Sequence, residues 1–258
     1  MLLSSASFVV RVRPQLSAAF SLGGLFSFGT ASASKGGNVT AYTIRTPPAT
    51  SPREVPTPLV FLSSSAWDGA SAQSMRDFAS MFAERGYTCL EIDLGRPETI
   101  GSSEALIDLV VVLLIGSLAA ELRSHIRLTA IPFAPVLIAR DGGTLIAQSY
   151  VESNPATGLI MISPPASNTS FATSYSSHST RLPTPLPEFT YEPKFPIAIL
   201  GSPSEIVSLK RDHRLGKIGS QGGSSRWTRG GVHWLQVHDT MGQEARTQME
   251  LWLDEIGV

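Results

Sequence analysis

Residues 136–150 read VLIARDGGTLIAQSY. The stretch parses as a buried strand, a tight turn and then a helix, with Asp141 at the apex of the turn. A strand that turns sharply into a helix strains the backbone at its apex and crowds the flanking positions. Small residues are therefore needed two positions before and two positions after it. Ala139 and Gly143 meet that need. The same letters also fit an ordinary Asp-Gly turn in which Asp141 caps the helix. The order of elements around the turn has to decide between the two.

That order is regular. VTAYTIRT (39–46) alternates with period two and reads as an early strand, and a proline-rich turn follows. PLVFLSSS (58–65) is an apolar run of the kind buried on both faces of a sheet. Residues 71–87 form an amphipathic helix with Met75, Phe78, Met81 and Phe82 on one side, closed by Gly86. Further strands fall at 87–94, 134–140, 158–163, 195–201 and 232–238. Helical patterns lie around 103–123, 142–152, 205–216 and 240–256. Strands alternating with helices predict an α/β protein with a doubly wound, mostly parallel sheet. Strand 134–140 is expected at its centre, with Asp141 at the C-terminal edge beside the 63–67 loop, where open α/β sheets bind ligands. Residues 164–194, rich in Ser, Thr and Pro, break the rhythm and read as a short lid or a surface loop.

With 258 residues, 42% hydrophobic and 16% charged, the chain has enough material for one sizeable core. A net charge of -1 and the lack of a basic stripe give no reason to expect nucleic acid. The single cysteine, Cys89, sits in the apolar run YTCLEIDL and reads as a buried thiol. No Cys/His spacing suggests zinc, so no metal is expected. The first 37 residues carry Arg11, Arg13 and Lys35, many serines, and no acidic residue precedes Glu54. This is the composition of a presequence that directs import into the mitochondrial matrix, leaving a domain from 38 to 258. A secretory signal with LSAAFSLGGLF as its core is the competing reading. The apolar stretch 109–120 lies between Asp108 and Glu121 and is shorter than the ~20 residues of a membrane span, so a buried helix is expected there.

Four local matches then carry a resemblance. FLSSSAWDG (61–69) follows a strand, EIDLGRPETIGSS has Asp93 at a strand end with Leu94, Gly95 and Arg96 after it, ARDGG (139–143) forms the elbow, and VHDTM (237–241) places His238 after the last strand. Together they resemble the α/β-hydrolase superfamily over nearly all of residues 39–258. The resemblance implies Asp141 in the nucleophile position, His238 as the catalytic histidine, and Ser64, Ser65, Trp67 and Gly142 around the oxyanion or substrate site. It implies hydrolysis of a small or lipid-like ester, epoxide or halide without a cofactor. An aspartate is already ionised at neutral pH and suits attack on saturated carbon, to give an ester that His238 then helps water to cleave. That chemistry resembles the dehalogenase and epoxide-hydrolase branches. Those branches usually have a tryptophan after the aspartate, where this chain has Gly142, and a His-Gly signature, where it has Ser63-Ser64-Ser65.

The residue that would orient His238 is taken as Glu205, in GSPSEIVS after the 195–201 strand, with Ser204, Asp212 and Asp239 as alternatives. His178, His213, His233, Trp227 and Trp234 read as packing or surface residues. The alternative function is a non-catalytic binding or scaffolding protein on the same fold, since a fold does not dictate an activity.

Overall fold

The structure is a computed structural model of the chain. It describes residues 30–32, 41–65, 67–93, 133–173, 186–221 and 231–258, with single positions or pairs between 102 and 108 and between 175 and 184. Most of the expected presequence, the 109–120 stretch, Leu94, Gly95, Arg96, His178 and Trp227 lie outside the described residues.

The strands are β1 (Thr30–Ser32), β2 (Ala41–Arg45), β3 (Val55–Ser63), β4 (Tyr87–Asp93), β5 (Val136–Arg140), β6 (Gly158–Ile162), β7 (Tyr175–Ser176), β8 (Ser179–Thr180), β9 (Pro196–Gly201) and β10 (Gly231–Gln236). The helices are α1 (Ser71–Glu84), α2 (Gly143–Ser153), α3 (Asn168–Thr173), α4 (Pro203–Asp212), α5 (Arg214–Gln221) and α6 (Gln243–Ile256). The main sheet runs β1-β2-β4-β3-β5-β6-β9-β10. From β4 to β10 every neighbouring pair is parallel, while β1 and β2 join one margin antiparallel. The expected doubly wound sheet is therefore present, with β5 inside it. Strand β1 falls within the segment assigned to targeting, and pairs Thr30–Ser32 with Ala41–Thr43.

Because side chains alternate along a strand, β3 and β5 each feed two cores. Val60, Leu62, Leu137 and Ala139 pack on one face with Leu145, Ile146, Phe171, Ile206 and Leu215. Leu59, Phe61, Val136 and Ile138 pack on the other with Phe78, Phe82, Met249 and Trp252. Cys89 is fully buried in this second core, and burial pushes its thiol well above the ordinary value.

Two boundaries differ from the expectation. Strand β3 starts at Val55 and takes in Pro56 and Pro58, and its pairing with β4 shifts register between Val55 and Leu59. Prolines cannot donate to the ladder, and they are tolerated where it is interrupted. The helix expected over 205–216 is instead two helices meeting at His213, whose ψ of 143° is extended. His213 is 4% exposed, and its Nδ1 accepts the Leu215 N–H at 3.2 Å. Burial, then the nearby Arg214 and Lys217, pull its pKa from 6.5 down to about 4, so the ring is neutral at pH 7.

Candidate active site

The turn after β5 has the strain that its spacing predicts. Asp141 adopts φ +44°, a region that side chains avoid although aspartate tolerates it better than most. Its N–H donates to the Ile162 carbonyl at 3.1 Å, tying the apex to β6. Its carbonyl accepts from the Thr144 N–H at 3.0 Å and from Thr144 Oγ1 at 2.6 Å. The flanking small residues are needed for steric reasons. Ala139 is fully buried, and a Cβ on Gly143 would stand 3.1 Å from the Leu62 carbonyl oxygen of β3. Gly142 opens α2 without a side-chain cap, and its N–H has no acceptor among the described residues. This end of the helix favours negative charge beside it.

The loop after β3 lies against this turn, as expected. Trp67 and Phe171 stack edge to face with ring centroids 5.6 Å apart. A Cβ on Gly142 would lie 2.6 Å from Trp67 and 2.7 Å from Phe171. The two rings therefore fill the space that a side chain at 142 would take. Phe171 belongs to α3, so the 164–194 insertion reaches over the elbow. Its C-terminal part, residues 186–194, is fastened down, with Leu186 and Phe189 buried and the Tyr191 hydroxyl donating to Gln148 at 3.1 Å.

The serines divide their tasks in a way that short-range spacing does not reveal. The Ser65 N–H, a candidate oxyanion donor, is given to Asp93 Oδ1 at 3.0 Å, and the Ser65 hydroxyl donates to Oδ2 at 2.7 Å. The Ser63 hydroxyl donates to the same carboxylate at 2.9 Å. Asp93 thus organises this loop from the end of β4. The Ser64 N–H donates to Ser71 Oγ at 3.1 Å, while its own buried hydroxyl has no partner among the described residues. The indole N–H of Trp67 is buried and likewise without a partner among the described residues.

On the far side of the elbow, Val237 continues the β10 pairing through its N–H to the Gly201 carbonyl at 3.0 Å, and His238 then leaves the sheet. Its side chain is 88% exposed. The His238 N–H donates to Glu244 Oε2 at 2.8 Å, and its Nδ1 stands 3.5 Å from the same oxygen. Chiefly through that backbone donor, the Glu244 carboxyl is held below its ordinary range. Glu205 has a different task from the one expected of it. Its carboxylate accepts the Ser202 N–H at 2.7 Å, and the Ser202 hydroxyl accepts the Glu205 N–H at 3.4 Å, which closes a capping box at the start of α4. The S-x-x-E spacing of Ser202 and Glu205 is the signal that reveals it. The alternatives are also engaged elsewhere. Ser204 Oγ lies 3.3 Å from Ser202 Oγ, Asp212 pairs with Arg211, and Asp239 accepts the Met241 N–H at 2.8 Å. The carboxylate facing the histidine is Glu244, in the first turn of α6.

Arg140, beside the apex, links both loops. Its Nε stands 2.9 Å from Asp68 Oδ2, each side chain about one-fifth exposed, and its Nη1 contacts Met241 Sδ. The 238–242 loop therefore meets the β5 end even though β10 lies three strands away. Ser163, at φ +44° after β6, is a second strained residue at this edge that no local pattern announced. A cleft of about 350 Å³ opens elsewhere, on the flank of α2 between Ser149, Glu152 and Glu188. Two of its carboxylates are used structurally, Glu152 by the Thr190 N–H and Glu188 by the Asn168 N–H. Among the described residues no cluster could hold a metal ion, and no helix is long and apolar enough to cross a membrane.

No family model and no curated protein matches the chain. Solved structures do match in fold. A lipase/esterase from Lactobacillus plantarum is 9% identical with a TM-score of 0.59, over 90% of this chain and 98% of its own. A sugar hydrolase from Lactococcus lactis is 12% identical with a TM-score of 0.54, over 89% and 100%. An α/β serine hydrolase without a lid from Xanthomonas campestris is 9% identical with a TM-score of 0.52, over 88% and 94%. The chain has the α/β-hydrolase fold.

Proposed function

We propose that this protein hydrolyses a small or lipid-like molecule bearing an electrophilic saturated carbon, an epoxide or a halide, with the Asp141 carboxylate as nucleophile. The observation that carries the reading is the strained apex. A non-glycine residue is held at φ +44° on the central strand, at the helix end that favours negative charge. Attack by a carboxylate oxygen on carbon would form an ester on Asp141 and either release halide or break the epoxide C–O bond, leaving an alkoxide that takes a proton from water. Water, deprotonated with the help of His238, would then cleave that ester, and the Gly142 N–H would stabilise the oxyanion. An ester substrate fits less well, because carboxylate attack on its carbonyl gives an anhydride. Glu244, not Glu205, is the carboxylate disposed to orient the imidazole.

The experiment is intact-mass spectrometry of a His238→Gln variant incubated with panels of epoxides, alkyl halides and esters. A covalent adduct on Asp141, absent in Asp141→Asn, is expected. No adduct across the panel sinks the reading. A second reading, a non-catalytic binding protein, is favoured by the aromatic cover on Gly142 and by the commitment of the Ser65 N–H to Asp93. Partner binding that survives in Asp141→Asn would support it. Import into the mitochondrial matrix, with cleavage between about Phe28 and Asn38, is part of the proposal. N-terminal sequencing of the protein recovered from cells tests it, and an intact Met1 would remove it.

A further inference from the structure

The helices on the two faces of the sheet carry opposite charge. Helix α4 leaves Val207 65% exposed, with Lys210 and Arg211 exposed three and four positions further on. Helix α6 leaves Leu251 57% exposed, with Asp254 and Glu255 exposed at the same two spacings. Residues three and four apart share one side of a helix, so each aliphatic side chain is flanked by charge, basic on α4 and acidic on α6. Ile206 and Leu209 root α4 in the core on one face, while Met249 and Trp252 root α6 in the core on the other. Helix α5 extends the basic side with exposed Lys217 next to Ile218, which is 38% exposed. From Lys210 to Gly231 the sequence carries six cations and one acid, in a chain whose net charge is -1.

The acidic side has partners within the chain. Asp254 pairs with Arg53 at 3.3 Å, Glu250 pairs with Arg85 at 3.4 Å, and Glu255 stands 3.7 Å from His233 Nδ1. That leaves a second copy of the chain little to bind there. On the basic side Arg211 makes a solvent-exposed pair with Asp212, which water screens. Lys210 Nζ lies 5.7 Å from the centroid of the Trp234 ring. Arg214 turns inward, its Nη1 donating to the Tyr191 carbonyl at 2.8 Å, so it adds charge but no outward contact. Aliphatic side chains flanked by cations on solvent-facing helices suit an anionic bilayer. The aliphatic groups enter the headgroup layer while the ammonium and guanidinium groups stay at its phosphates. We propose that the α4–α5 face is a docking surface for an anionic lipid membrane. With the acidic α6 on the opposite face, the field of the protein turns the α4–α5 face toward the lipid and keeps α6 in water. The attachment and the proposed reaction at Asp141 do not depend on each other.

Cys89 is the only cysteine and is fully buried, so a thiol introduced at the surface is the one that takes a label. Val207→Cys and Leu251→Cys, each in the full chain, are labelled with an environment-sensitive fluorophore. Each is mixed with phosphatidylcholine vesicles, plain or containing phosphatidylserine at about 30 mol%. The label at position 207 should shift to the blue with the anionic vesicles alone, and the label at position 251 with neither. The shift should be lost in about 1 M salt, where charges are screened beyond about 3 Å. Adding Lys210→Gln and Lys217→Gln, both at exposed positions, should raise the lipid concentration for half the shift about 25-fold, at about fivefold per cation. The basic segment 1–37 is present in every variant, and attachment through it would leave the label at 207 unshifted. No shift at 207, equal shifts at 207 and 251, or full affinity in the Lys210→Gln, Lys217→Gln variant would each overturn the docking surface. A shift at 207 that appears without lipid as the protein is concentrated would overturn it too, in favour of a second copy of the chain.

Discussion

Replacing Gly142 with alanine tests whether the elbow is filled or open. The backbone there, φ -58° and ψ -28°, suits alanine, so restriction of the unfolded chain alone would stabilise the protein by about 0.4–1 kcal/mol. The surroundings act the other way. The new methyl would lie 2.6 Å from Trp67 Cε3 and 2.7 Å from Phe171 Cζ. Ordinary carbon contacts begin near ~3.5 Å, so both rings must retreat by about 1 Å. Forcing a methyl into packed surroundings typically costs about 1–3 kcal/mol. The clash outweighs the entropy gain, and a net loss of about 1–2 kcal/mol is expected. For a domain of this size that corresponds to a fall in Tm of roughly 2–8 °C. Differential scanning calorimetry and urea unfolding of the full chain measure it. Combining the change with Phe171→Leu should recover part of the loss, because the smaller side chain makes room. A variant as stable as the parent, or more stable, would show that the two rings do not fill this space.

Two further outcomes follow from groups away from the apex. His213 has its pKa depressed in the folded protein, so between its ordinary 6.5 and about 4 the unfolded chain binds more protons. Its contribution to stability is fully present above pH 6.5 and is lost as the pH falls toward 4, up to about 3 kcal/mol in all. His213→Asn should flatten that part of the stability profile measured by urea unfolding, and an unchanged slope would contradict the assignment. Asp93→Ala removes the acceptor of the Ser63 and Ser65 hydroxyls and of the Ser65 N–H. A loss of about 1.5–3 kcal/mol in thermal unfolding is expected, and no loss would mean that the carboxylate does not hold the loop.

The sequence alone determined the frame of this protein. Period-two and continuous apolar runs separated by helical patterns specify a parallel, doubly wound sheet, because a strand covered on both faces must be apolar on both. The Ala139–Asp141–Gly143 spacing located the strained apex, since the sterics that demand small residues act within five consecutive positions. The Ser202–Glu205 capping box is just as local, and its S-x-x-E spacing stands in the sequence, although Glu205 was expected to orient His238. Contacts between distant elements were decided only by the tertiary structure. Asp93 takes the Ser65 N–H across 28 positions, and Phe171 meets Trp67 from an insertion that lacks periodicity. The His238 ring faces Glu244 in the next helix because the chain turns outward after Val237. Hydrogen bonds and ring contacts form between whichever groups the ends of separate strands and helices bring within about 3–4 Å. Alternation fixes which face a residue occupies. It does not fix which neighbour it finds at the rim of the sheet, where the backbone leaves its regular path and the candidate chemistry lies.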